Sequence, residues 1–221
     1  MKTPFFVAAL VLWAQFVHSQ AAQVRLPDLF GSHAIVQRAK DTAVWGRAEP
    51  GETVTVTLAG VSATARAGDD GWWLARLDTS NLGDGPFNLT AKGASGEVTS
   101  QDILVGEVWL AGGQSNMEFT MKGGFGPVMD FDARAAACKG RPIRMFKMPH
   151  RSENAPIKGD AKGVWRVISP ETLGSVTAVG YMFIDTLQKQ IGGARAWWTS
   201  PGAARAAGRG CRARPSTRTK N

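Results

Sequence analysis

The feature that most constrains the fold is a nearly continuous apolar run that ends in two glycines. After Asp102, residues 103–111 read Ile-Leu-Val-Gly-Glu-Val-Trp-Leu-Ala, and Glu107 is the one charge among them. An apolar run without alternation is typical of a strand buried on both faces, as in a parallel sheet. Gly112-Gly113-Gln114-Ser115-Asn116 follows at once. We therefore expect a strand of an α/β sheet that ends in a sharp turn.

The part of the chain before this run is predicted to be β structure. Residues 24–105 contain short apolar stretches separated by turn signals. Thr53–Leu58 alternates and is rich in β-branched residues, which predicts a strand with one buried face. Turns are expected at Glu49–Glu52, Asp69–Gly71 and Gly83–Pro86. The turn at Asp69–Gly71 is expected to close a β-hairpin. Many short strands separated by turns favour a small all-β sandwich, assigned to residues 23–102.

The part after residue 102 has a different pattern. Ile143–Met148 is predicted to be a short strand, and Ser175–Ile191 a helix. The helix has a broad apolar face, formed by Val179, Tyr181, Met182, Phe183, Ile184, Leu187 and Ile191. Strand, loop, strand and helix in this order predict the opening of an α/β domain over residues 103–192. The fold class is therefore mixed.

The N-terminus is predicted to be an export signal over residues 1–22. Lys2 precedes an apolar run from Phe5 to Val17, and small residues follow near Ala21. The alternative is a buried first helix. The signal predicts a secreted or periplasmic protein, and no other segment is apolar enough to predict a membrane span.

The net charge of +8 does not indicate nucleic-acid binding. Residues 193–221 hold seven of the 26 basic residues and none of the 18 acidic ones, which leaves 19 basic against 18 acidic residues before them. The excess therefore belongs to an aberrant basic tail and not to a folded surface. Cys138 and Cys211 do not suggest a disulfide framework or a metal site, and no cofactor is expected.

Ser115 is the candidate nucleophile. A serine on a glycine turn at the end of a parallel strand presents its hydroxyl and its own N–H together, which suits attack on an acyl carbon and binding of an oxyanion. The alternative is a plain glycine-rich turn. After the signal, the histidines are His33 and His150, and neither has an acid at helpful spacing. Both are better explained as surface or packing residues than as the base.

The stretch from Asp102 to Phe119 resembles the nucleophile block of the sialate O-acetylesterases, which are SGNH-type serine hydrolases. Further resemblances follow in order along residues 24–191, at Leu29-Phe30, Ala34–Arg38, Val44–Glu52, Pro142–Phe146 and Val179–Phe183. The resemblance implies a β-sandwich joined to a flavodoxin-like α/β domain, and a serine esterase that removes acetyl groups from sugars such as sialic acid.

The resemblance also assigns residue roles. It implies that Ser115 is the nucleophile and that Gly113, Gln114 and Asn116 support it. It further implies later Gly-Glu-Ser-Asn-like and Asp-x-x-His blocks, which supply oxyanion donors, acid and base. No position of this chain matches them. The chain is therefore expected to be a truncated enzyme whose partner is an acetylated sugar or glycan.

The tail allows three interpretations: disorder, a basic anchor for acidic surfaces, or a misread frame of GC-rich DNA. Trp197-Trp198-Thr199 requires TGG TGG ACN, and reading one base earlier gives NTG GTG GAC. That frame permits Gly-Leu-Val-Asp, which resembles the sequence expected after the helix, and then Trp-Gly-Gly-Thr. A glutamate expected shortly afterwards is not permitted, so the match is incomplete.

A second function is a carbohydrate-binding module without catalysis. In this alternative, Trp45, Trp72 and Trp73 of the β-sandwich stack on a glycan. Their positions in predicted strands favour core packing instead.

Overall fold

The computed structural model of the protein describes residues 23–113, 115–124, 126–149 and 162–201. The predictions for the signal segment, Gln114, His150, Cys211 and the tail beyond Pro201 lie outside these residues. The described elements are the strands β1 (Ile35–Gln37), β2 (Thr42–Arg47), β3 (Thr53–Leu58), β4 (Val61–Arg66), β5 (Trp72–Leu77), β6 (Phe87–Gly93), β7 (Gly96–Gly113), β8 (Ile143–Lys147), β9 (Val164–Val167) and β10 (Ala194–Pro201), and the helices α1 (Ser115–Glu118), α2 (Phe131–Ala137) and α3 (Ala178–Ile191).

The fold is mixed and dominated by sheet. The larger sheet has the order β4-β3-β6-β7-β10-β8-β9, with β1 beside β7, and β2 and β5 form a separate pair. The strands β1 and β10 pair with β7 in parallel, whereas β6 pairs with β7 in antiparallel. The 18-residue strand β7 therefore belongs to both an antiparallel and a parallel region.

In the antiparallel region, β3 buries one of its two faces. The predicted strand Thr53–Leu58 is β3, and Val54, Val56 and Leu58 are buried while the threonines are not. They share a core with Trp73 and Leu77 from the two-stranded sheet. Alternation of burial along the strand follows from the two-residue repeat of the pleat.

The turn at Asp69–Gly71 does not close a hairpin, so that prediction was wrong. The strands on either side of it belong to different sheets, because β4 pairs with β3 and β5 pairs with β2. A turn signal reports where the chain reverses, but the pairing partner is chosen by packing across the core.

β7 changes partners at Asp102. Antiparallel pairing with β6 ends at Ile103, and parallel pairing with β1 begins at Leu104. Asp102 has a left-handed φ of 55°, which is uncommon for a residue other than glycine. The predicted boundary at residues 102 and 103 thus falls inside one strand. The domain division itself stays a prediction.

The bend at Asp102 is held by a buried arginine. Arg144 of β8 donates from Nη2 to the Asp102 carboxylate at 2.7 Å, and from Nη1 to the carbonyl oxygens of Asp102 and Ala34. Asp102 also contacts the Nδ1 atom of His33 at 2.6 Å. Burial raises the pKa of Asp102, but hydrogen bonds from His33 and Arg144 outweigh it and hold that pKa below its usual value.

β10 begins inside the segment that the sequence analysis assigned to the tail. It lies between β7 and β8 and pairs with both along most of its length. Backbone pairing does not require particular side chains, so a strand forms here although the composition of the segment did not predict one.

The side chains of β10 fit their surroundings poorly. Among the described residues, five buried side-chain polar atoms lack a hydrogen-bond partner: Trp73 Nε1, Arg195 Nε, Trp197 Nε1, Trp198 Nε1 and Thr199 Oγ1. Four of them lie on β10, although native proteins satisfy most buried polar groups. The cluster indicates a local mismatch between sequence and environment.

The predicted helix is α3, and its N-cap is Thr177, whose hydroxyl accepts a hydrogen bond from the Gly180 N–H. Tyr181 and Ile184 are buried against the sheet, and burial raises the pKa of Tyr181 to about 12. The predicted apolar face is only partly covered, because Val179 and Phe183 are half-exposed.

We predict that Asp102→Asn destabilises the fold in a pH-dependent way. The folded pKa of Asp102 lies below its usual 3.8, so its stabilisation is present above that value and is lost as the pH falls through the folded pKa. Because 36% of its side chain is exposed, we expect a loss of about 2 kcal/mol at pH 7, less than for a fully buried pair. The decrease in the free energy of unfolding between pH 7 and pH 3 should therefore be smaller in the variant than in the wild type.

Urea unfolding at pH 7 and pH 3 measures both effects. Asp41→Asn is the matched control, since Asp41 pairs with Arg76 at 2.8 Å on the open surface and should contribute under about 1 kcal/mol. Equal losses in the two variants would contradict the role given to Asp102.

Candidate active site

Ser115 lies at the carboxyl edge of the parallel strands. β7, β10 and β8 run in the same direction and end at Gly113, Pro201 and Lys147. Ser115 begins α1 two residues after the end of β7, and it is exposed. Ligands of open α/β sheets bind at this edge. Ser115 therefore lies just past the end of its strand, where the sequence analysis placed it.

Of the three residues predicted to support Ser115, Gly113 makes a close packing contact in the structure. The side chain of Met117 folds back against it, and a Cβ atom at position 113 would lie 2.4 Å from Met117 Cγ. A Cβ atom at Gly112 would meet nothing within 4 Å. Asn116 is exposed on α1 beside Ser115. Gln114 lies outside the described residues.

The segment after α1 is tied to the start of α3. The carbonyl oxygen of Phe119 accepts a hydrogen bond from the Ala178 N–H at 2.9 Å, and the Met121 N–H donates to Val176 at 3.0 Å. α1 also packs on β10. Ser115 is therefore held between the end of β7 and the N-terminus of α3.

This arrangement has the first requirements for acyl transfer. The exposed hydroxyl of Ser115 can approach a substrate, and the N–H groups at the start of an α-helix have no acceptor inside the helix. The Ser115 N–H can therefore donate to an oxyanion.

His33, the one histidine among the described residues, does not complete this site. It lies beside Asp102 at the start of the parallel part of β7, whereas Ser115 follows its end. The twelve residues from Asp102 to Gly113 span roughly 35 Å as a strand. The expectation that His33 is not the base therefore agrees with its position. Its acid partner was missed, because Asp102 is 69 residues away in sequence.

A cleft of about 510 Å³ also lies away from Ser115. Its charged lining residues pair with one another, because Arg38 contacts Asp84 at 2.6 Å and Arg195 lies 3.7 Å from Glu107. The cleft therefore carries no net charge for a ligand to match.

The three tryptophans proposed for glycan stacking are engaged in packing. Trp73 is 2% exposed. Trp72 has the Arg47 guanidinium 4.2 Å from its ring centre, and Trp45 meets Phe30 edge-on at 4.7 Å. Trp73 and Trp45 therefore agree with the core-packing interpretation, whereas Trp72 is only partly buried and contacts the exposed Arg47.

Cys138 is a buried free cysteine, as expected for an ordinary small residue, and burial raises the pKa of its thiol. Over the described ranges, no three His, Cys, Asp or Glu side chains converge as a metal site requires. No helix in those ranges is both long and apolar enough to cross a bilayer.

Comparison with known proteins confirms the resemblance. The chain is 30% identical to human sialate O-acetylesterase over 94% of its own length, and 28% identical to the mouse protein over 88%. This chain resembles the sialate O-acetylesterases along most of its length. No protein-family model matches it.

A solved structure agrees with the sequence matches. The crystal structure of a carbohydrate acetylesterase from Xanthomonas citri superposes with a TM-score of 0.72 and 34% identity, over 80% of this chain and 40% of that one. The chain spans 43% of the human relative and 39% of the mouse one. It therefore corresponds to less than half of each relative.

We predict that Gly113→Ala lowers stability and Gly112→Ala does not. The added Cβ at position 113 must displace the side chain of Met117, which should cost about 1–3 kcal/mol. Gly112 faces open space, so its variant should stay within about 0.5 kcal/mol of wild type. Thermal unfolding of the two variants checks this, and equal changes would show that Met117 does not pack on Gly113.

Proposed function

We propose that the chain is the nucleophile-bearing part of a carboxylic ester hydrolase that removes O-acetyl groups from sugars such as sialic acid. The observation that carries the proposal is the exposed Ser115 at the carboxyl edge of the parallel strands, inside a stretch that resembles the sialate O-acetylesterases. The carbohydrate acetylesterase from Xanthomonas citri supports a sugar ester as the substrate class.

The mechanism is acyl transfer in two steps. The Ser115 oxygen attacks the acetyl carbon and loses its proton to a base, while the Ser115 N–H holds the oxyanion. The sugar hydroxyl leaves with a proton, and an acetyl-enzyme remains. Water then attacks the ester, releases acetate and returns the proton to Ser115. Gly113, Gln114 and Asn116 support the position of Ser115.

The acid and base of this mechanism are proposed to lie outside the stretch that matches the relatives. His33 and Asp102 form a pair at 2.6 Å, but at the opposite end of the parallel part of β7. The chain corresponds to 43% or less of its curated relatives. We therefore expect little hydrolysis by the chain alone.

The finer organisation is also part of the proposal. Residues 1–22 are a signal peptide that directs the protein to the periplasm or outside the cell. Residues 23–102 form the β-sandwich, and residues 103–192 begin the SGNH hydrolase domain. The change of partners along β7 supports a division near Asp102. Glycan binding without catalysis is less favoured, because Trp73 is buried.

We also propose that the segment after Gly192 is read in a shifted frame. The codons of Trp197 and Trp198 permit Leu and Val in the frame that begins one base earlier. The unsatisfied indole nitrogens of these residues support a strand that suits aliphatic side chains.

Ser115→Ala tests the esterase proposal. Because the acid and base are proposed to lie elsewhere, the wild-type chain should release 4-nitrophenol from 4-nitrophenyl acetate only slowly, but still measurably faster than Ser115→Ala, since the variant cannot form an acetyl-enzyme. Ser62→Ala, on the exposed strand β4, is the matched control. Mass spectrometry should find the acetyl group on Ser115, and equal rates for all three proteins would remove the enzyme assignment from this chain.

The double variant Trp197→Leu/Trp198→Val tests the frame proposal. Truncating a well-fitted core aromatic to alanine costs about 3–5 kcal/mol. Leucine and valine keep part of the buried apolar area, and the removal of each unsatisfied N–H group returns about 1–3 kcal/mol. We expect urea unfolding to show a net change within about 2 kcal/mol. A loss of about 6 kcal/mol or more, as expected for two well-fitted core aromatics, would contradict the shifted frame. So would sequencing of codons 190–230 that shows an unbroken reading frame to Asn221.

A further inference from the structure

Two arginines lie side by side on the outer surface of the two-stranded sheet. The backbone N–H and carbonyl groups of Arg25 pair with those of Arg47, at 2.8 and 3.0 Å, in a bridge at the end of β2. Residues directly opposite each other in such a pair have Cα atoms about 5.5 Å apart and side chains on the same face. Both arginines are exposed. Their guanidinium groups are therefore neighbours in solvent.

The fold gives no reason for two like charges at these positions. Like charges at opposite positions of an antiparallel pair destabilise it. Over the described ranges, neither arginine forms an ion pair with a carboxylate, whereas Arg76, on the same face of β5, pairs with Asp41 at 2.8 Å. Arg47 donates to the backbone carbonyl of Asp70 at 3.1 Å, but the Asp70 carboxylate accepts from the Trp72 N–H. The two positive charges are therefore left for another anion.

An apolar surface lies beside the arginine pair. Trp72 of β5 is opposite Arg47, and the Arg47 guanidinium carbon lies 4.2 Å from the centre of its ring. Leu74, two residues further along the same face of β5, is 49% exposed. We call Arg25, Arg47, Trp72 and Leu74 together the Arg25–Trp72 face. It holds two donors of charge-assisted hydrogen bonds next to an aromatic ring and an aliphatic side chain.

We propose that the Arg25–Trp72 face is an accessory binding site for a sugar that carries a carboxylate, such as sialic acid. A carboxylate has two oxygens, so it can accept hydrogen bonds from both guanidinium groups. The C–H groups of a pyranose ring give it an apolar side, which suits contact with Trp72 and Leu74. The choice of an acidic sugar rests on the proposed function, whereas the presence of an anion site rests on the arginine pair alone.

Other anionic partners fit this face less well. Binding to an anionic membrane surface typically uses clusters of about four to eight Lys or Arg residues, and nucleic-acid binding likewise uses several phosphate contacts. The Arg25–Trp72 face has two arginines. An acidic peptide would supply carboxylates, but a backbone with acidic side chains offers no apolar ring side to Trp72 and Leu74.

The site can be studied apart from hydrolysis. The Arg25–Trp72 face belongs to the sheet of β2 and β5, whereas Ser115 follows β7 of the larger sheet. Ser115→Ala therefore removes the candidate nucleophile and leaves the face unchanged. A sugar held here would keep an acidic glycan at the protein while acetyl groups are removed elsewhere.

An NMR titration of the full chain carrying Ser115→Ala tests the site. The probes are N-acetylneuraminic acid and its methyl ester, which keeps the ring and removes the charge. The indole N–H signal of Trp72, identified by its loss in Trp72→Phe, reports binding. We expect the acid to shift this signal and to bind at least about fivefold more tightly than the ester. Sodium chloride at about 0.5 M should reduce this difference, because exposed charges are screened by salt.

Two variants separate the arginine pair from general surface charge. The double variant Arg25→Gln/Arg47→Gln should bind the acid and the ester equally. The matched control Arg76→Gln, which changes an arginine of the same face that is already paired with Asp41, should keep the preference for the acid. Urea unfolding should show no loss of stability in Arg25→Gln, because the change removes one of two like charges.

Three results would overturn the proposal. They are equal affinity of the Ser115→Ala chain for the acid and the ester, an unchanged preference in the double variant, and binding to phosphatidylserine vesicles without binding to the sugar. The third result would make a membrane surface the occupant. Hydrolysis of 4-nitrophenyl acetate by the wild-type chain is measured separately. A chain that binds the acid but does not hydrolyse the ester would count against the proposed function and leave the accessory site in place.

Discussion

The contact between Arg144 and Asp102 is the constraint on which the rest of the arrangement depends. The guanidinium is buried and bonds to both the carboxylate and the carbonyl of Asp102. It thereby fixes the residue at which β7 leaves its antiparallel partner and enters the parallel region. A left-handed residue inside a strand is stable only when its surroundings hold it. The direction of β7 beyond that point, and with it the position of Ser115, follows from this contact.

The parallel strands place the candidate nucleophile and the histidine–aspartate pair at opposite edges of the sheet. Ser115 follows the carboxyl end of β7, whereas the His33–Asp102 pair lies where its parallel part begins. A histidine bonded to a carboxylate resembles part of a catalytic triad, but geometry decides whether it can serve a given serine. Here the strand itself keeps the two apart. The pair therefore belongs to the architecture of the bend and not to catalysis at Ser115.

β10 and the second half of β7 both show a sheet whose side chains and surroundings do not match. β10 pairs on both edges, yet it holds four of the five unsatisfied buried polar atoms of the described residues. β7 has an apolar composition, yet residues 107–113 are not buried. In β10, the side chains do not suit their buried surroundings. In the second half of β7, the apolar side chains have no neighbouring element that covers them among the described residues. Both are consistent with a chain that spans less than half of each relative it matches.

The sequence by itself determined the elements whose signals are local: the alternating strand at Thr53–Leu58, the helix before Gly192 and the strand and glycine turn that precede Ser115. Only the tertiary structure decided the partners: that Asp69–Gly71 connects two sheets, that Asp102 meets His33 and Arg144, and that β10 lies between β7 and β8. Periodicity and turn chemistry act over a few residues. Strand pairing and ion pairs join residues far apart in sequence, so they are chosen by packing of the whole core.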